Sequence, residues 1–443
     1  MRMLQTVRGL KWAGYSLLLA LALALAGCGG GSSGTGGSGV VQAGAELLKR
    51  VPFAPTPDPD AFYAQPEPFP VDAPPGTLLN SRRITFRPGL SVPMANAAWQ
   101  LQYVTRDAQG RPIAAVTTVV KPLLPALAFG GRKPVVSYQF AYDSLGAECT
   151  PSRTISGGTA NANNQLETLS YILGLTAEGW TMVMPDYEGP YSAYGAGEFS
   201  GQATLDSIRA ALSFEELGLS PDSPVALWGY SGGALATAWA AALHPGYAPE
   251  LNLVGAASGG TPADVFSVVQ AAEGGPFFNL IFSAVVGANR AYPNLLPASI
   301  INEAGRAAIE KVRDGCVGGG GVLGIGLGGA RLSDYTTHPD PFNSPGALAV
   351  KPKVTLPQPG RTPTIDMFIY HEIFDELIPI AGTDKLVEQW CADGAHIRYL
   401  RALGGEHITG VVTGAPQALL YVTSRFAGGA LDPLATLGSS RCN

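Results

Sequence analysis

The residues of this chain best suited to chemistry gather around one serine. Ser231 sits in Gly229-Tyr230-Ser231-Gly232-Gly233, behind the apolar run Val225 to Trp228 and ahead of the alanine-rich stretch Ala234 to Leu243. The first reads as a buried strand and the second as a helix. A serine on so tight a strand-to-helix turn needs neighbours almost free of side chain, because a Cβ beside it would strike the strand or the helix. Its hydroxyl then stands clear of the backbone, where a nearby base can turn it into a nucleophile. Gly30-Gly31-Ser32-Ser33-Gly34 repeats the Gly-x-Ser-x-Gly pattern, but with no strand before it and no helix after it, and reads as linker.

Five histidines compete for the base. His244 ends the elbow helix before Pro245, His338 falls in an irregular region, His396 precedes a strand and His371 ends one. Only His407, in Gly404-Gly405-Glu406-His407, follows the last strand-like run. From there it can reach Ser231, take the hydroxyl proton and return it to a leaving alcohol. Asp375, in the turn after the penultimate strand, is placed to accept from the imidazole Nδ1–H. His371 reads as structural, Glu372 and Glu376 as surface or capping groups, and Asp366 as pointing into the strand region. An oxyanion needs two donors. The backbone N–H of Gly232 is the first and that of Asp143, in the loop Ala141 to Ser144, the second. This chemistry is acyl transfer through an acyl-enzyme and needs no metal or organic cofactor.

The elements that must position these groups alternate. Ala97 to Thr105 and Ile113 to Lys121 read as an antiparallel hairpin at the sheet edge, around the turn Asp107-Ala108-Gln109-Gly110. Val135 to Phe140, Trp180 to Asp186, Val225 to Tyr230, Leu253 to Ala257, Ile365 to Tyr370 and Ile397 to Leu403 read as further strands. Helices are expected over Gly201 to Leu217, Ala234 to Leu243, Thr383 to Gly394 and Pro416 to Phe426. The pattern is an α/β fold, a mostly parallel central sheet with helices on both faces. The chain order Ser, Asp, His is that of an α/β-hydrolase. Regular alternation stops over residues 261–353, too long a stretch for a loop, so an inserted cap is expected there. Phe277, Phe278, Ile281 and Phe282 are candidates either for an acyl pocket or for the cap's own core.

The other bounds concern location. Arg2, Arg8 and Lys11 precede the apolar run Leu17 to Ala26, and Leu25-Ala26-Gly27-Cys28 closes it, resembling a bacterial lipobox. That implies a signal peptide over residues 1–27, a diacylglycerol on the Cys28 thiol, and a membrane partner held through that anchor. With Gly29 rather than Asp after the cysteine, the outer membrane or cell surface is the expected destination. Residues 28–50 form the acylated cysteine and a Gly/Ser-rich linker. A proline-rich strap, Val51 to Pro75, leads into the catalytic body, residues 51–260 and 354–443. Net charge is −6, nearer −9 once the three leader cations are gone, so nothing attracts nucleic acid. The protein is expected to be monomeric. Of five cysteines, Cys149, Cys316, Cys391 and Cys442 remain to pair in an oxidising compartment, in any of three connectivities. None has the Cys-x-x-Cys spacing of a metal or redox site.

Taken together, the motifs resemble the secretory lipase family of the yeast lipase A type. They are Val136-Ser137-Tyr138-Gln139, Tyr142-Asp143 with Cys149-Thr150-Pro151-Ser152, Gly229 to Ala234, Tyr247 to Asn252, Gly259-Gly260-Thr261-Pro262, Asp375 to Pro379 and Glu406-His407. The resemblance implies an α/β-hydrolase whose inserted cap is mostly helical and which hydrolyses carboxylic esters, including triacylglycerols. It puts the triad on Ser231, Asp375 and His407, the oxyanion donors on Asp143 and Gly232, and disulfides on Cys149–Cys316 and Cys391–Cys442. Because the chain stops one residue after Cys442, a C-terminal flap over the site is not expected. The ester is open between a lipid and a small carboxylic ester. Transacylation or amide hydrolysis on the same triad, and acyl binding without turnover, are the alternatives.

Overall fold

The computed structural model describes residues 51–442 apart from 89–92, 125, 127–131, 159–160, 318–326 and 430–438. The leader, Cys28, the Gly/Ser linker and most of the glycine tract Val317 to Gly329 lie outside the described residues. Among the described residues ten strands form one sheet: β1 (Leu78–Thr85), β2 (Ala97–Arg106), β3 (Pro112–Val120), β4 (Val135–Gln139), β5 (Thr181–Pro185), β6 (Val225–Tyr230), β7 (Leu253–Gly259), β8 (Met367–Glu372), β9 (Ile397–Ala402) and β10 (Ser439–Cys442). Their order is β1-β2-β3-β5-β4-β6-β7-β8-β9-β10. Pairing is parallel from β5 through β9 and antiparallel at both ends. Every residue of β4, β5, β6 and β8 is buried, as in a sheet covered on both faces, which is why these strands read as apolar runs.

Ten helices accompany the sheet among the described residues: α1 (Pro151–Ile155), α2 (Ala162–Thr176), α3 (Gly197–Ser213), α4 (Gly232–Tyr247), α5 (Val265–Ala272), α6 (Phe278–Ala291), α7 (Glu303–Val312), α8 (Pro345–Val354), α9 (Ile380–Ala392) and α10 (His407–Phe426). The pleat divides the core in two. Leu227 and Ile369 pack with Leu205 of α3, Trp239 of α4 and Trp390 of α9. On the other face Trp228 and Phe368 pack with Tyr171 of α2 and Val422 of α10. Helices α5 to α8 occupy the irregular stretch after β7. Phe278 and Phe282 turn into a cluster with Ile309, Val312 and Tyr335, so those two aromatics belong to the interior of this insertion.

Three expectations change. The hairpin β2–β3 is not the edge, because β1 pairs outside it. Its sequence, with Asn80, Ser81, Arg82 and Arg83, shows little apolar alternation, because an edge strand half in solvent needs none and charge there discourages pairing with other chains. Helix α10 begins at His407 rather than Pro416. Glu406 caps it, its carboxylate accepting from the N–H groups of Ile408 and Thr409, and Pro416 is absorbed inside. Helix α2 and strand β10 carry no strong periodic signal and were not expected.

The strap does lie on the body. Gln65 brackets the Ala114 backbone with two hydrogen bonds, and Arg153 pairs with Asp58. At its start, Thr56 donates twice to the Asp314 carboxylate. Both disulfides form, Cys149–Cys316 and Cys391–Cys442. The second holds β10 against α9 across a sequence separation of 51. In the chain-entropy picture a loop of that size contributes about 4 kcal/mol. Cys391→Ser/Cys442→Ser should therefore unfold at distinctly lower urea, with a stability loss of about that size by equilibrium denaturation; an unchanged midpoint would refute the assignment.

Candidate active site

Strand β6 delivers Ser231 at the C-terminal edge of the parallel strands. Its φ is 52° and its N–H donates to Gly259 O at 2.8 Å, so the turn is bonded to the neighbouring strand end. Positive φ is costly for a residue with a β-carbon and persists only where the surroundings impose it. Here they do. A Cβ on Gly229 would lie 2.4 Å from Gly233 O, one on Gly233 2.0 Å from Gln139 O, and one on Gly232 1.8 Å from Asp143 Oδ1.

His407 opens α10 with its ring over this turn. Its Nε2 is 2.7 Å from Ser231 Oγ and its Nδ1 2.7 Å from Asp375 Oδ2. With Asp375 ionised, Nδ1 carries the proton, and Nε2 is left to accept from the serine hydroxyl. Two further bonds fix the histidine backbone: its N–H donates to Glu376 Oε2 at 3.0 Å, and its carbonyl accepts from Tyr230 O–H at 2.7 Å. Asp375 closes its own turn, Oδ1 accepting from the N–H groups of Leu377 (3.0 Å) and Ile378 (2.6 Å). Burial alone would raise this carboxyl, but hydrogen bonds from His371 and His407, with their charges, carry it well below the usual carboxylate range.

Of the residues singled out in the sequence, the structure thus brings together Ser231, His407, Asp375, Gly232 and Asp143. Gly232 begins α4, where the first N–H groups have no acceptor within the helix. Asp143 has a φ of 45° and is 2 % exposed. His371 sits behind Asp375, Nε2 3.1 Å from Oδ2 and 3.0 Å from Ile378 O, with Nδ1 2.9 Å from Thr383 Oγ1. His244, His338 and His396 bond elsewhere. Glu376 caps His407 as a local group should. Glu372 does not lie at the surface: it is buried beside α10 and accepts from Thr413 Oγ1 at 3.1 Å. Asp366 faces outward to Arg425, 2.5 Å away, rather than into the strands.

A small cavity of about 30 Å³ opens at Ser231, walled by Asp143, Leu235, Val268, Ile281, Leu377 and Ile378 among others. Of Phe277, Phe278, Ile281 and Phe282, Ile281 is thus the one that lines the cavity at the serine, beside its neighbour Leu280. Gly195, Val265, Val269 and Ala284 also line a second, larger cavity of about 290 Å³ within the insertion. Apart from Ile281, the sequence contains no signal for these walls, since apolar residues of an irregular region show no period. Among the described residues no cluster of His, Cys, Asp and Glu is suited to a metal.

A family model described as secretory lipase matches residues 159–432. A protein described as a probable inactive lipase of Mycobacterium tuberculosis is 35% identical over 392 residues, covering 86% of this chain and 85% of its own. Lipase A of Arthroderma benhamiae is 35% identical over 398 residues, with 86% and 82% covered. A secreted triacylglycerol lipase of Malassezia globosa is 33% identical over 391 residues, with 85% and 80% covered. Among solved structures, Candida antarctica lipase A superposes with a TM-score of 0.76 at 29% identity, covering 84% of this chain and 86% of its own. The rice cell-wall-degrading esterase LipA of Xanthomonas oryzae, at 16% identity and a TM-score of 0.59, shares the α/β-hydrolase fold.

The buried acids make stability depend on pH. Burial pushes Asp143 up to about 7, against the opposing charge of His407, and likewise takes Asp186 to about 7 and Glu167 to about 8. Unfolded, such carboxyls release their protons near pH 4. Between about pH 4 and 7 the folded chain therefore holds more protons than the unfolded one, and stability falls as pH rises. Asp375 acts oppositely, its contribution present above its unfolded pKa and lost only in acid. The melting temperature should drop from pH 5 to pH 8, less steeply in Asp143→Asn; a flat or rising profile would contradict the buried neutral acids.

Proposed function

The chain belongs to the secretory lipase family and is a carboxylic ester hydrolase, and from that premise we propose that it works through an acyl-enzyme on Ser231. His407 takes the hydroxyl proton as Ser231 attacks the ester carbonyl, and returns it to the departing alcohol. Asp375 holds the imidazole in the right tautomer and stabilises its charge once formed. The oxyanion lies between the N–H groups of Gly232 and Asp143, and water admitted after the alcohol leaves repeats the steps to release the acid. The unbroken run of two 2.7 Å hydrogen bonds, Ser231 to His407 to Asp375, carries this reading. It also favours turnover over the acyl-binding alternative that a relative described as inactive would suggest.

The acid part of the substrate is an acyl chain that passes from the cavity at Ser231 into the larger one beside it. That space is apolar, walled by Phe266, Val285, Ala288, Leu295, Ile300 and Phe342, and shares wall residues with the first. Phe374, Leu403 and Ile408, sequence neighbours of Asp375 and His407 or of the strand end between them, are all exposed apolar side chains of the kind that a lipid surface would contact. We take the enzyme to be a lipase rather than a small-ester carboxylesterase. It is exported, in keeping with its family, and the lipobox ending in Cys28 supports a lipoprotein anchored at the outer membrane or cell surface.

Hydrolysis of p-nitrophenyl esters of increasing acyl length should peak on long chains and fall by about 10⁴-fold or more in Ser231→Ala. A short-chain optimum would make it a carboxylesterase, and activity surviving in the variant would discard the triad. Cys28→Ser should move the full-length protein out of the membrane fraction of a bacterial host; retention there would discard the lipid anchor.

A further inference from the structure

One guanidinium lies where the insertion, the strap and the loop carrying Asp143 meet. Arg290, near the end of α6, has no measurable exposure. It donates to five carbonyls: Nε to Phe53 O (2.9 Å), Nη1 to Leu145 O (2.8 Å), Tyr191 O (3.0 Å) and Ser192 O (3.3 Å), and Nη2 to Arg313 O (2.9 Å). Its acceptors are thus all neutral dipoles. Desolvation pulls Arg290 down to about 9, opposed by the charges of Asp314 and Glu188, so it stays a cation at neutral pH.

The acceptors are not arbitrary segments. Among the described residues only Phe53, Asp143, Ser192 and Ser231 combine a side chain with positive φ, at 51°, 45°, 49° and 52°. Ser231 is held by its own elbow. Of the other three, Arg290 takes the carbonyls of Phe53 and Ser192 directly, and for Asp143 that of Leu145, two residues on. Conformations of this kind endure only where the surroundings over-determine them. A planar fork with five donors supplies that constraint from one point. On its other side the same loop is held by Asn161 Nδ2, donating to Tyr142 O at 2.7 Å, and by Leu145 N–H, donating to Gly315 O at 3.1 Å. Helix α6 meanwhile presents Ile281 and Ala284 to the cavity at Ser231.

We infer that Arg290 is a positioning residue for ester hydrolysis: through the Leu145 carbonyl it fixes the loop that aims the Asp143 N–H at the oxyanion, and through α6 it ties the acyl wall to the same point. This rests on the reading of Asp143 as an oxyanion donor. If Arg290 merely riveted α6 to the body, its loss would weaken the fold or the grip on long acyl chains. If it sets the donor, its loss falls on the transition state.

The test compares wild type, Ser231→Ala, Arg290→Lys and Arg290→Met, each checked for native circular dichroism and intact disulfides. Steady-state kinetics are measured on p-nitrophenyl butyrate, and inhibition by an alkyl trifluoromethyl ketone, which adds to the serine and puts a negative oxygen in the oxyanion position. In folded Arg290→Met, kcat should fall about 100-fold with KM nearly unchanged, as a donor displaced by roughly an ångström would produce, and ketone affinity should fall in parallel. Arg290→Lys, which keeps the charge without the fork, should lie between. A folded Arg290→Met with kcat and ketone affinity intact, or a loss confined to KM, overturns the inference. If neither variant folds, Arg290 serves stability alone and the inference is equally overturned. A wild type without activity on any ester would remove the underlying reading of the site and the inference with it.

Discussion

No β-carbon fits on Gly229, Gly232 or Gly233, and much of the molecule answers to that restriction. Strand β6 and helix α4 approach each other so closely that the chain between them must adopt a backbone angle unfavourable for serine. The conformation survives because both flanking elements are buried along almost their whole length and cannot relax apart. In return the hydroxyl stands at the C-terminal edge of the sheet, with unbonded helix N–H groups beneath it. Loops after β4, β7, β8 and β9 reach the same edge because those strands run parallel to β6. Asp143 and Asp375 lie in the loops after β4 and β8, Gly259 ends β7, and His407 opens α10 just beyond the loop after β9.

Asp375 settles the electrostatics of this cluster. Its carboxylate has four partners: two backbone N–H groups and two imidazoles. A buried charge so well satisfied stays ionised, whereas Asp143, on the far side of the serine, is pushed toward neutrality by burial. Two aspartates in one site are thus pushed in opposite directions. The contrast suits the chemistry, since a negative charge is wanted behind the imidazolium and unwanted beside an oxyanion. His371 strengthens it by giving the acid a second imidazole without competing for Ser231.

How far the sequence discloses this arrangement varies by residue, for physical reasons. Ser231 is legible because the elbow restricts three glycines and a strand–helix switch at once. Asp375 and His407 are legible because the fold delivers them after successive strands, so position along the chain stands in for position in space. The edge strands β1 and β10 are not, since partial exposure erases apolar alternation, and the true start of α10 is masked by Pro416 lying inside it. Glu372 looks like a surface acid until the helix that buries it is seen to begin early. Arg290 is the least legible. A side chain that binds only carbonyls leaves no partner residue type to search for, because every residue has a carbonyl.

The insertion cannot be regarded as a separate lid laid on a finished site. Cys316, Leu145 N–H to Gly315 O, and Val317 N–H to Ser144 Oγ (3.2 Å) stitch its middle to the loop that holds Asp143. The disulfide partner, Cys149, follows that loop directly. Any motion of the insertion that admits a long acyl chain must therefore leave the 314–317 segment in place, or else move the oxyanion loop with it and lose the transition-state contact. Helices α5 and α6 line both cavities yet lie outside these stitches up to Arg290. The 273–277 connection between them is bonded instead to a later part of the same insertion, Gly274 N–H to Ala330 O (2.9 Å) and Leu332 N–H to Glu273 Oε1 (2.8 Å), so the cavity walls are tied to one another as well as to the body.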